Sequence, residues 1–400
     1  MNQVKQSVLT INGGSSSIKF ALYETGTTPM QCSLAGKIDR IGLSETTLSF
    51  NDTIRDVQGN HHIDVSDYPA AANFLIDWLE QQPGFTHVSA VGHRVVHGMQ
   101  HSEPEIISQS LLDELHQISS YDPDHLPGEI DLIEKFSVRF PHLLQLACFD
   151  TAFHQSLPRV ARLLPVPRRF DAMGIRRYGF HGLSYAYLMQ TLALPSDSKV
   201  TNNNVAGSRV ILAHLGNGAS LAAVRDGRSI DTTMGFTPAG GLPMSTRSGD
   251  LDPGVAWYMM QSENLTSEQF KHLINHESGL LGISETSSDM RDLIEHQVTD
   301  ERAAEAVELF CYQVKKCIGA YAAVLGGLDA LVFSGGIGEN APTVRARICD
   351  GLEFLGIELE ENRNARNEDI ISAQDGRVTV RVIHTDEQQM IATMVVQHLG

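Results

Sequence analysis

The sequence predicts an α/β fold built from two related halves. The main observation is that one pattern occurs twice along the 400 residues: a short apolar strand, a glycine- and hydroxyl-rich turn, and a second strand. A second observation is that runs with helical spacing separate further short apolar strands. We expect the two turns to face each other across a cleft, where they would hold a polyphosphate from both sides.

The two copies of this pattern span residues 8–22 and 210–224, with their turns at 12–17 and 214–220. Asn-Gly between two β-forming runs is typical of a hairpin. Glycine in such a turn lets backbone N–H groups approach a ligand, and consecutive N–H groups form a site for anions. An ordinary hairpin turn is the alternative for either copy taken alone, and the repetition favours the ligand site.

Composition argues against several classes of function. A formal net charge of -18 argues against nucleic acid as the main partner, although a local basic pocket for a small phosphate is compatible with it. The five cysteines are an odd number without a C-x-x-C pair, which is typical of a reducing compartment. No apolar run approaches ~18 residues, and no signal-peptide pattern precedes the first strand. We therefore predict a cytoplasmic protein without a membrane partner.

The first half is predicted to contain helices at 66–80, 108–118 and 127–136, and strands at 87–96 and 143–149. Arg94 lies near the end of the first strand, and a buried arginine there is either salt-bridged or a clamp for a ligand. Asp150 follows the second strand, and ligands of open α/β sheets lie beyond the carboxyl ends of strands. The alternative for Asp150 is a solvated or capping residue.

In the second half, a polar and aromatic loop at 176–184 places His181 between an aromatic residue and a glycine, close to two arginines. That setting favours His181 as a donor to an anion, whereas a lone histidine is usually a surface or core residue. A long irregular segment at 231–254, rich in glycine and proline, has Arg247 as its only cation. Segments of this kind inside compact domains are usually functional.

The remaining elements are a polar insertion at 195–208, helices at 253–261, 266–275 and 301–325, and strands at 329–333 and 378–383. Glycines at 335–338 lie between a strand and a helix, an arrangement that suits the approach of a nucleotide. This pattern is neither a P-loop nor a clean dinucleotide fingerprint. A capping-box pattern at 385–388 is predicted to open the C-terminal helix.

Short motifs recur in a fixed order along the chain, at 12–20, 92–98, 149–154, 177–182, 214–220, 231–238, 246–250, 287–291, 335–340 and 385–387. Each motif is weak by itself, but the ordered set is specific. It resembles the acetate kinase family over essentially the whole chain. The resemblance implies the superfamily of actin, the sugar kinases and the heat-shock chaperones, with two duplicated actin-like (ribonuclease H-like) domains and a nucleotide cleft between them.

The resemblance also implies domain boundaries and a reaction. Residues 1–152 plus 385–400 would form the N-terminal domain, and residues 153–384 would form the nucleotide-binding C-terminal domain. The reaction is the reversible, Mg²⁺-dependent, in-line transfer of the γ-phosphoryl group of ATP to acetate, which yields ADP and acetyl phosphate for acetyl-CoA biosynthesis. The family suggests a homodimer.

Site residues follow from the same resemblance. Asn12 and Glu387 would hold Mg²⁺ (or Mn²⁺), partly through water, and Lys19 would reach a nucleotide phosphate. The phosphates would lie in a cradle made of His214, Leu215, Gly216, Asn217 and Gly218. The nucleoside would be surrounded by Asp289, Met290, Arg291, Gly336, Ile337, Gly338, Glu339 and Asn340.

On the substrate side, Arg94 and Arg247 would clamp carboxylate and phosphate, and His181 would contact the transferred phosphoryl group. A carboxylate acceptor needs no general base, so we expect Asp150 to orient Arg94, Arg247 or the metal shell. The acyl pocket would be lined by Val96, His125, Phe180 and Pro238. Departures from the family pattern at Asp124, Tyr185, Ala239 and Gly240 leave the preferred acyl length open.

Two alternatives to an acetate kinase stay open at this point. One is a propionate-preferring kinase of the same family. The other is a non-catalytic relative that binds nucleotide to drive a conformational change. Arg94, His181 and Arg247 argue against the second, because a nucleotide switch has no use for a carboxylate clamp.

Overall fold

The structure is a computed structural model that describes residues 6–26, 30–43, 45–194 and 208–399. The predicted polar insertion lies almost entirely outside the described residues. The chain divides into two compact units, and we call Met1–Ala152 with Asp386–Gly400 the first unit and Phe153–Thr385 the second unit. Within the described ranges, the helices are all too short or too polar to cross a membrane.

The strands, in chain order, are β1 Ser7–Gly13, β2 Ser17–Glu24, β3 Gln31–Asp39, β4 Thr47–Asp52, β5 Val57–His62, β6 Val88–Val95, β7 Glu105–Ile106, β8 Leu144–Phe149, β9 Arg209–Leu215, β10 Ala219–Arg225, β11 Arg228–Thr232, β12 Ala330–Ser334 and β13 Thr379–Val382. The helices are α1 Tyr68–Glu80, α2 Gln109–Ile118, α3 Leu126–Arg139, α4 Arg159–Arg162, α5 Arg168–Ala172, α6 Gly182–Ala193, α7 Pro253–Ser262, α8 Ser267–His276, α9 Gly279–Ser284, α10 Met290–His296, α11 Glu301–Leu325, α12 Gly335–Asn340, α13 Pro342–Cys349, α14 Glu361–Ala365 and α15 Glu387–Leu399. Short 3-10 turns lie at Pro83–His87, Ser119–Tyr121, Ala152–His154 and Glu353–Leu355.

The first unit contains a sheet with the strand order β5-β4-β3-β2-β1-β6-β8-β7. β1 pairs antiparallel with β2 and parallel with β6, and β6 pairs parallel with β8. Apolar residues of α1 and α3, among them Leu75 and Phe136, pack against this sheet in one core. The terminal helix α15 lies close to β6, because a side-chain carbon on Gly92 would come within 2.5 Å of Ile391.

The second unit contains a smaller sheet with the order β11-β10-β9-β12-β13. β9, β10 and β11 are antiparallel neighbours, whereas β12 pairs parallel with β9 and with β13. Its core joins apolar residues of α6, such as Leu188, to Leu212 of β9 and Val332 of β12.

The two sheets share their central topology. In both, an antiparallel trio (β3-β2-β1 and β11-β10-β9) continues through two parallel strands (β6-β8 and β12-β13). The repeated hairpin is therefore β1–β2 in one unit and β9–β10 in the other. This confirms the prediction of an α/β fold with two related halves.

Several predicted helix boundaries are confirmed because local capping decides them. α11 begins after Asp300, whose side chain accepts from the backbone N–H groups of Arg302 and Ala303, and ends at Gly326 in the left-handed region with φ 71°. The end of α1 at Glu80 is also as predicted, but the side chain of Asp67 caps this helix by accepting from Ala70 N at 2.9 Å, so it begins at Tyr68 and not at residue 66.

Three features differ from the prediction. Strands β3, β4 and β5 were not predicted, because exposed polar residues interrupt their apolar alternation. The predicted capping box at Thr385 is wrong: the cap of α15 is Asp386, whose Oδ1 accepts from Gln389 N at 2.8 Å, whereas the Thr385 hydroxyl bonds Ser184. The glycines after β12 do not form a separate loop, since α12 begins at Gly335 itself.

Candidate active site

In the first unit, Arg94 is the centre of a buried cluster of charges. Its Nη2 donates to Asp150 Oδ2 at 2.8 Å, and its Nη1 donates to Glu129 Oε1 at 3.2 Å and to the carbonyl of Gly13 at 3.0 Å. Its Nε–H has no hydrogen-bond partner within the described ranges, and the side chain is 13% exposed. Arg94 is therefore salt-bridged and still has a donor available for a ligand.

Glu129 is the second carboxyl group on this guanidinium. Its Oε2 accepts from Val96 N at 2.8 Å, and its side chain is only 2% exposed. Burial raises the pKa of Glu129 to about 8, although Arg94 and the Val96 N–H act in the opposite direction. Burial would lower the pKa of Arg94, but Asp150 and Glu129 raise it above its ordinary value. Arg94 thus keeps its proton, and Asp150, at the shorter distance, is its stronger partner.

The β1–β2 hairpin places the predicted metal and phosphate residues opposite each other. Asn12 on β1 and Lys19 on β2 are cross-strand partners, and the Lys19 side chain is exposed. Asn12 Nδ2 donates to Glu387 Oε2 at 2.8 Å, at the start of α15. The structure therefore brings Asn12, Lys19 and Glu387 to one end of the first unit's sheet.

In the second unit, His181 lies directly before α6 with φ 60° in the left-handed region. Its Nδ1 is 2.8 Å from Ser220 Oγ on β10, and the same oxygen is 2.5 Å from the hydroxyl of Tyr185. A side-chain carbon on Gly218 would lie 3.1 Å from His181 Nε2 and 3.8 Å from Arg247 Nη1. The imidazole, the second guanidinium and the hairpin turn therefore meet at one point.

Arg247 is held there by a loop without helix or strand that follows β11. Its Nη1 donates to the carbonyl of Pro238 at 3.2 Å, and its own carbonyl accepts from Met244 N at 3.0 Å. The loop is tied to the hairpin, because Ser245 N donates to the Asn217 carbonyl at 3.2 Å. These contacts fix the position of Arg247 against the turn.

The turn between β9 and β10 lies next to the start of α12. Gly216 N donates to the Gly218 carbonyl at 3.0 Å, and a side-chain carbon on Gly216 would lie 3.6 Å from Gly336 N. Gly335 has φ 76°, and a carbon added there would lie 2.7 Å from the Leu215 carbonyl oxygen, so only glycine fits. On Gly336, in contrast, an added carbon meets nothing within 4 Å.

Other predicted residues have structural partners. The ring of His214 lies beside that of His181, with centroids 4.2 Å apart and the planes tilted by 30°, and its Nδ1 is 2.8 Å from Ser184 Oγ. Glu339 Oε1 accepts from Gly335 N at 2.9 Å and from Thr385 N at 3.0 Å.

The residues predicted around the nucleoside and the acyl group differ widely in exposure. Asp289 caps α10 and pairs with Arg291 at 2.5 Å, whereas Met290 between them is buried. Val96 and Phe180 are buried as an apolar wall would require, each within its own unit. The imidazole of His125 lies 2.9 Å from the carboxylate of Asp122. It therefore has a different carboxylate partner from Arg94, which pairs with Asp150 and Glu129.

The amino-acid sequence matches the profile of the acetokinase family over residues 7–393. The chain belongs to this family. Acetate kinase of Methylocella silvestris is 41% identical over 403 residues, which cover 97% of each chain. Propionate kinase of Yersinia enterocolitica is 39% identical over 98% of this chain and 96% of that protein. The crystal structure of Porphyromonas gingivalis acetate kinase has a TM-score of 0.87 at 34% identity and covers 99% of this chain and 100% of that chain.

Membership of the acetokinase family confirms the resemblance and the prediction that the chain is an enzyme. The assignment of roles to individual residues stays a prediction.

Asn12 and Glu387 are chemically suitable for Mg²⁺. They supply one amide and one carboxylate oxygen, and Mg²⁺ is commonly held by one or two protein carboxylates together with waters and substrate phosphates. Across the described residues there is no group of three or more His, Cys, Asp or Glu side chains arranged for a metal. The donor set therefore fits a metal that arrives with the nucleotide.

Sequence reasoning missed Glu129 and Ser220. Glu129 occupies the buried stripe of α3 between Leu126 and Ile133, and a carboxyl group on an apolar stripe is a signal for a buried cation. Ser220 faces His181 only through strand pairing, for which the sequence carries no comparable signal.

Proposed function

We propose that this chain is an acetate kinase, which reversibly transfers the γ-phosphoryl group of ATP to acetate and forms acetyl phosphate and ADP. Relatives named acetate kinase at 41% and 42% identity support the proposal. The observation that carries it is the Arg94 guanidinium, which is fixed by Asp150, Glu129 and the Gly13 carbonyl and keeps its Nε–H for a substrate carboxylate.

In the reaction, an acetate oxygen forms a bond to the γ-phosphorus, and the bond from that phosphorus to the ADP oxygen breaks. Acetate is already ionised at neutral pH, so catalysis consists of in-line positioning and of positive charge around the transferred group. We assign the acetate carboxylate to Arg94, and the transferred group to Arg247 and His181, which converge beside Gly218. Lys19 and the turn at 214–218 would bind the nucleotide phosphates. Mg²⁺, held by Asn12 and Glu387, would neutralise phosphate charge.

The test is ATP-dependent formation of acetohydroxamate from acetate and hydroxylamine by the pure protein. We expect Arg94→Gln to lose at least about 100-fold in kcat/KM for acetate. Arg139→Gln, which removes a half-exposed arginine of the same unit, is the matched control and should keep full activity. Absence of hydroxamate with the wild-type protein would refute the proposal and favour a nucleotide-binding switch.

A preference for propionate is the second candidate, because relatives named propionate kinase occur at 39% identity and as a crystal structure from Francisella tularensis with a TM-score of 0.89. The propionate kinase in that structure is 35% identical to this chain, and the match covers 97% of this chain and 98% of that one. Comparing kcat/KM for acetate, propionate and butyrate decides between them. A value for propionate above that for acetate would assign the longer acid.

We also propose a homodimer, with a second copy covering α7. Trp257 and Tyr258 on this helix are 68% and 66% exposed, and none of the described α7 residues is buried. Light scattering on a sizing column should give twice the 43.8 kDa chain mass. Trp257→Asp should yield monomers, whereas Val138→Asp, which alters an apolar residue of α3 that is 83% exposed, should not. The cytoplasmic location stays a prediction.

A further inference from the structure

Arg345 on α13 is a fully buried cation without an anionic partner. Its exposed fraction is 0%, and all five of its N–H groups are used in hydrogen bonds to neutral oxygens. Nη1 donates to the carbonyls of Gly338 at 2.8 Å and Glu339 at 3.0 Å. No carboxylate in the described ranges lies within salt-bridge distance of this guanidinium.

The other side of the guanidinium is anchored on α14 and the residues after it. Nε donates to Asn364 Oδ1 and Nη2 to the Asn364 carbonyl, both at 2.8 Å, and Nη2 also donates to Asn367 Oδ1 at 2.6 Å. The planar fork therefore ties the last turn of α12 to α14 in one orientation, which a flexible ammonium group would not do.

The burial of the Arg345 guanidinium has a free-energy cost. Burying a charge without a counter-ion is unfavourable, and burial lowers the pKa of Arg345 to about 10, so the group stays protonated at neutral pH. Its positive charge faces the carbonyls of Gly338 and Glu339 in the last turn of α12, and the C-terminal end of a helix dipole is favourable for a cation. Arg345 thus holds the last turn of α12 in place.

The other end of α12 lies at the predicted phosphate turn, since Gly336 N is 3.6 Å from a carbon placed on Gly216. α12 is only six residues long, so a shift of its last turn also moves its first. We propose that Arg345 is a positioning residue for the nucleotide, which holds α12 so that residues 336–340 face the nucleoside beside the turn at 214–218. This inference rests on the proposed function.

The decisive variant is Arg345→Lys, which keeps the charge but loses the fork. ADP affinity, measured by titration calorimetry in Mg²⁺, should fall about 10-fold to 100-fold, because small misplacements of a binding element have effects of this size. KM for ATP should rise in parallel, while KM for acetate stays unchanged. The matched control is Arg347→Gln on the same helix, whose exposed guanidinium bonds only Gln297 among the described residues, and it should bind ADP normally.

A milder variant keeps the inference testable if Arg345→Lys does not fold. Asn367→Gly removes one acceptor and suits the local φ of 53°, so we expect about a fivefold loss of ADP affinity from this change. Unchanged ADP affinity in a folded variant, or equal losses for ADP and acetate, would overturn the positioning role. If the wild-type chain phosphorylates acetate normally, such a result overturns this inference alone; a wild-type chain that binds no ADP overturns the proposed function with it.

Discussion

Replacing Asp150 by asparagine separates two roles for this carboxylate, orientation of Arg94 and removal of a proton. Asp150 is 1% exposed and accepts from Arg94 Nη2 at 2.8 Å. Asparagine keeps an acceptor of the same shape but not the charge. A hydrogen bond to a charged group contributes about 1.5–3 kcal/mol and a neutral one about 1 kcal/mol, so the difference is about 0.5–2 kcal/mol.

That difference corresponds to a loss of about 2- to 30-fold in kcat/KM for acetate. Asp150→Ala should lose more, because removing one partner of a buried pair costs about 3–5 kcal/mol, although Glu129 remains beside Arg94. The assay is hydroxamate formation across a range of pH, with near-ultraviolet circular dichroism to verify folding.

If Asp150 only orients Arg94, the pH profile of kcat/KM for Asp150→Asn keeps the shape of the wild-type profile. A general base contributes about 100- to 10,000-fold, and its removal changes the acidic limb of that profile. A loss beyond about 1,000-fold together with a changed limb would refute our account and identify Asp150 as a base.

Three further predictions follow from the structure. Arg247→Ala should reduce turnover at least about 100-fold with no loss of secondary structure, because Arg247 meets His181 at the turn and lies in a loop. Glu129→Gln should flatten the pH dependence of the unfolding free energy. Because the pKa of Glu129 is raised from 4.5 to about 8 in the folded protein, the unfolding free energy of the wild type falls as the pH rises from 4.5 to about 8. Gly336→Ala should raise KM for ATP about 10-fold without destabilising the fold, because the added methyl enters the open space beside the turn and alanine favours a helix.

Each of these has its own control and contrary result. If the Arg247→Ala variant turned over as fast as the wild type, Arg247 would have no role in the mechanism. Equal pH slopes for wild type and Glu129→Gln would show that Glu129 ionises normally. Gly319→Ala on α11 also meets open space and should stabilise the protein without changing KM, so a change in KM there would indicate an indirect effect.

The sequence by itself determined the elements whose signals are local. The bounds of α11 follow from Asp300 and Gly326, which cap a helix through neighbouring backbone groups. The two hairpins follow from glycine-rich turns between apolar runs, although Asn12 and Gly13 of the first pattern belong to β1 and its turn is residues 14–16. The ordered motifs identify the family. These signals lie within a few residues of the structure they specify, so no tertiary context is needed to interpret them.

Only the tertiary structure decided which distant groups meet. Arg94 was predicted as a salt bridge or a clamp, and the fold supplied Glu129, 35 positions away, as its second carboxyl partner. Arg345 gave no signal in the sequence, because its five acceptors are carbonyl and amide oxygens that any chain contains. The assignment of Asp386 as the cap of α15 likewise depended on Thr385 turning toward Ser184, 201 positions earlier. Such contacts depend on how elements pack, and burial then makes each partner necessary, because a buried polar group without one costs free energy.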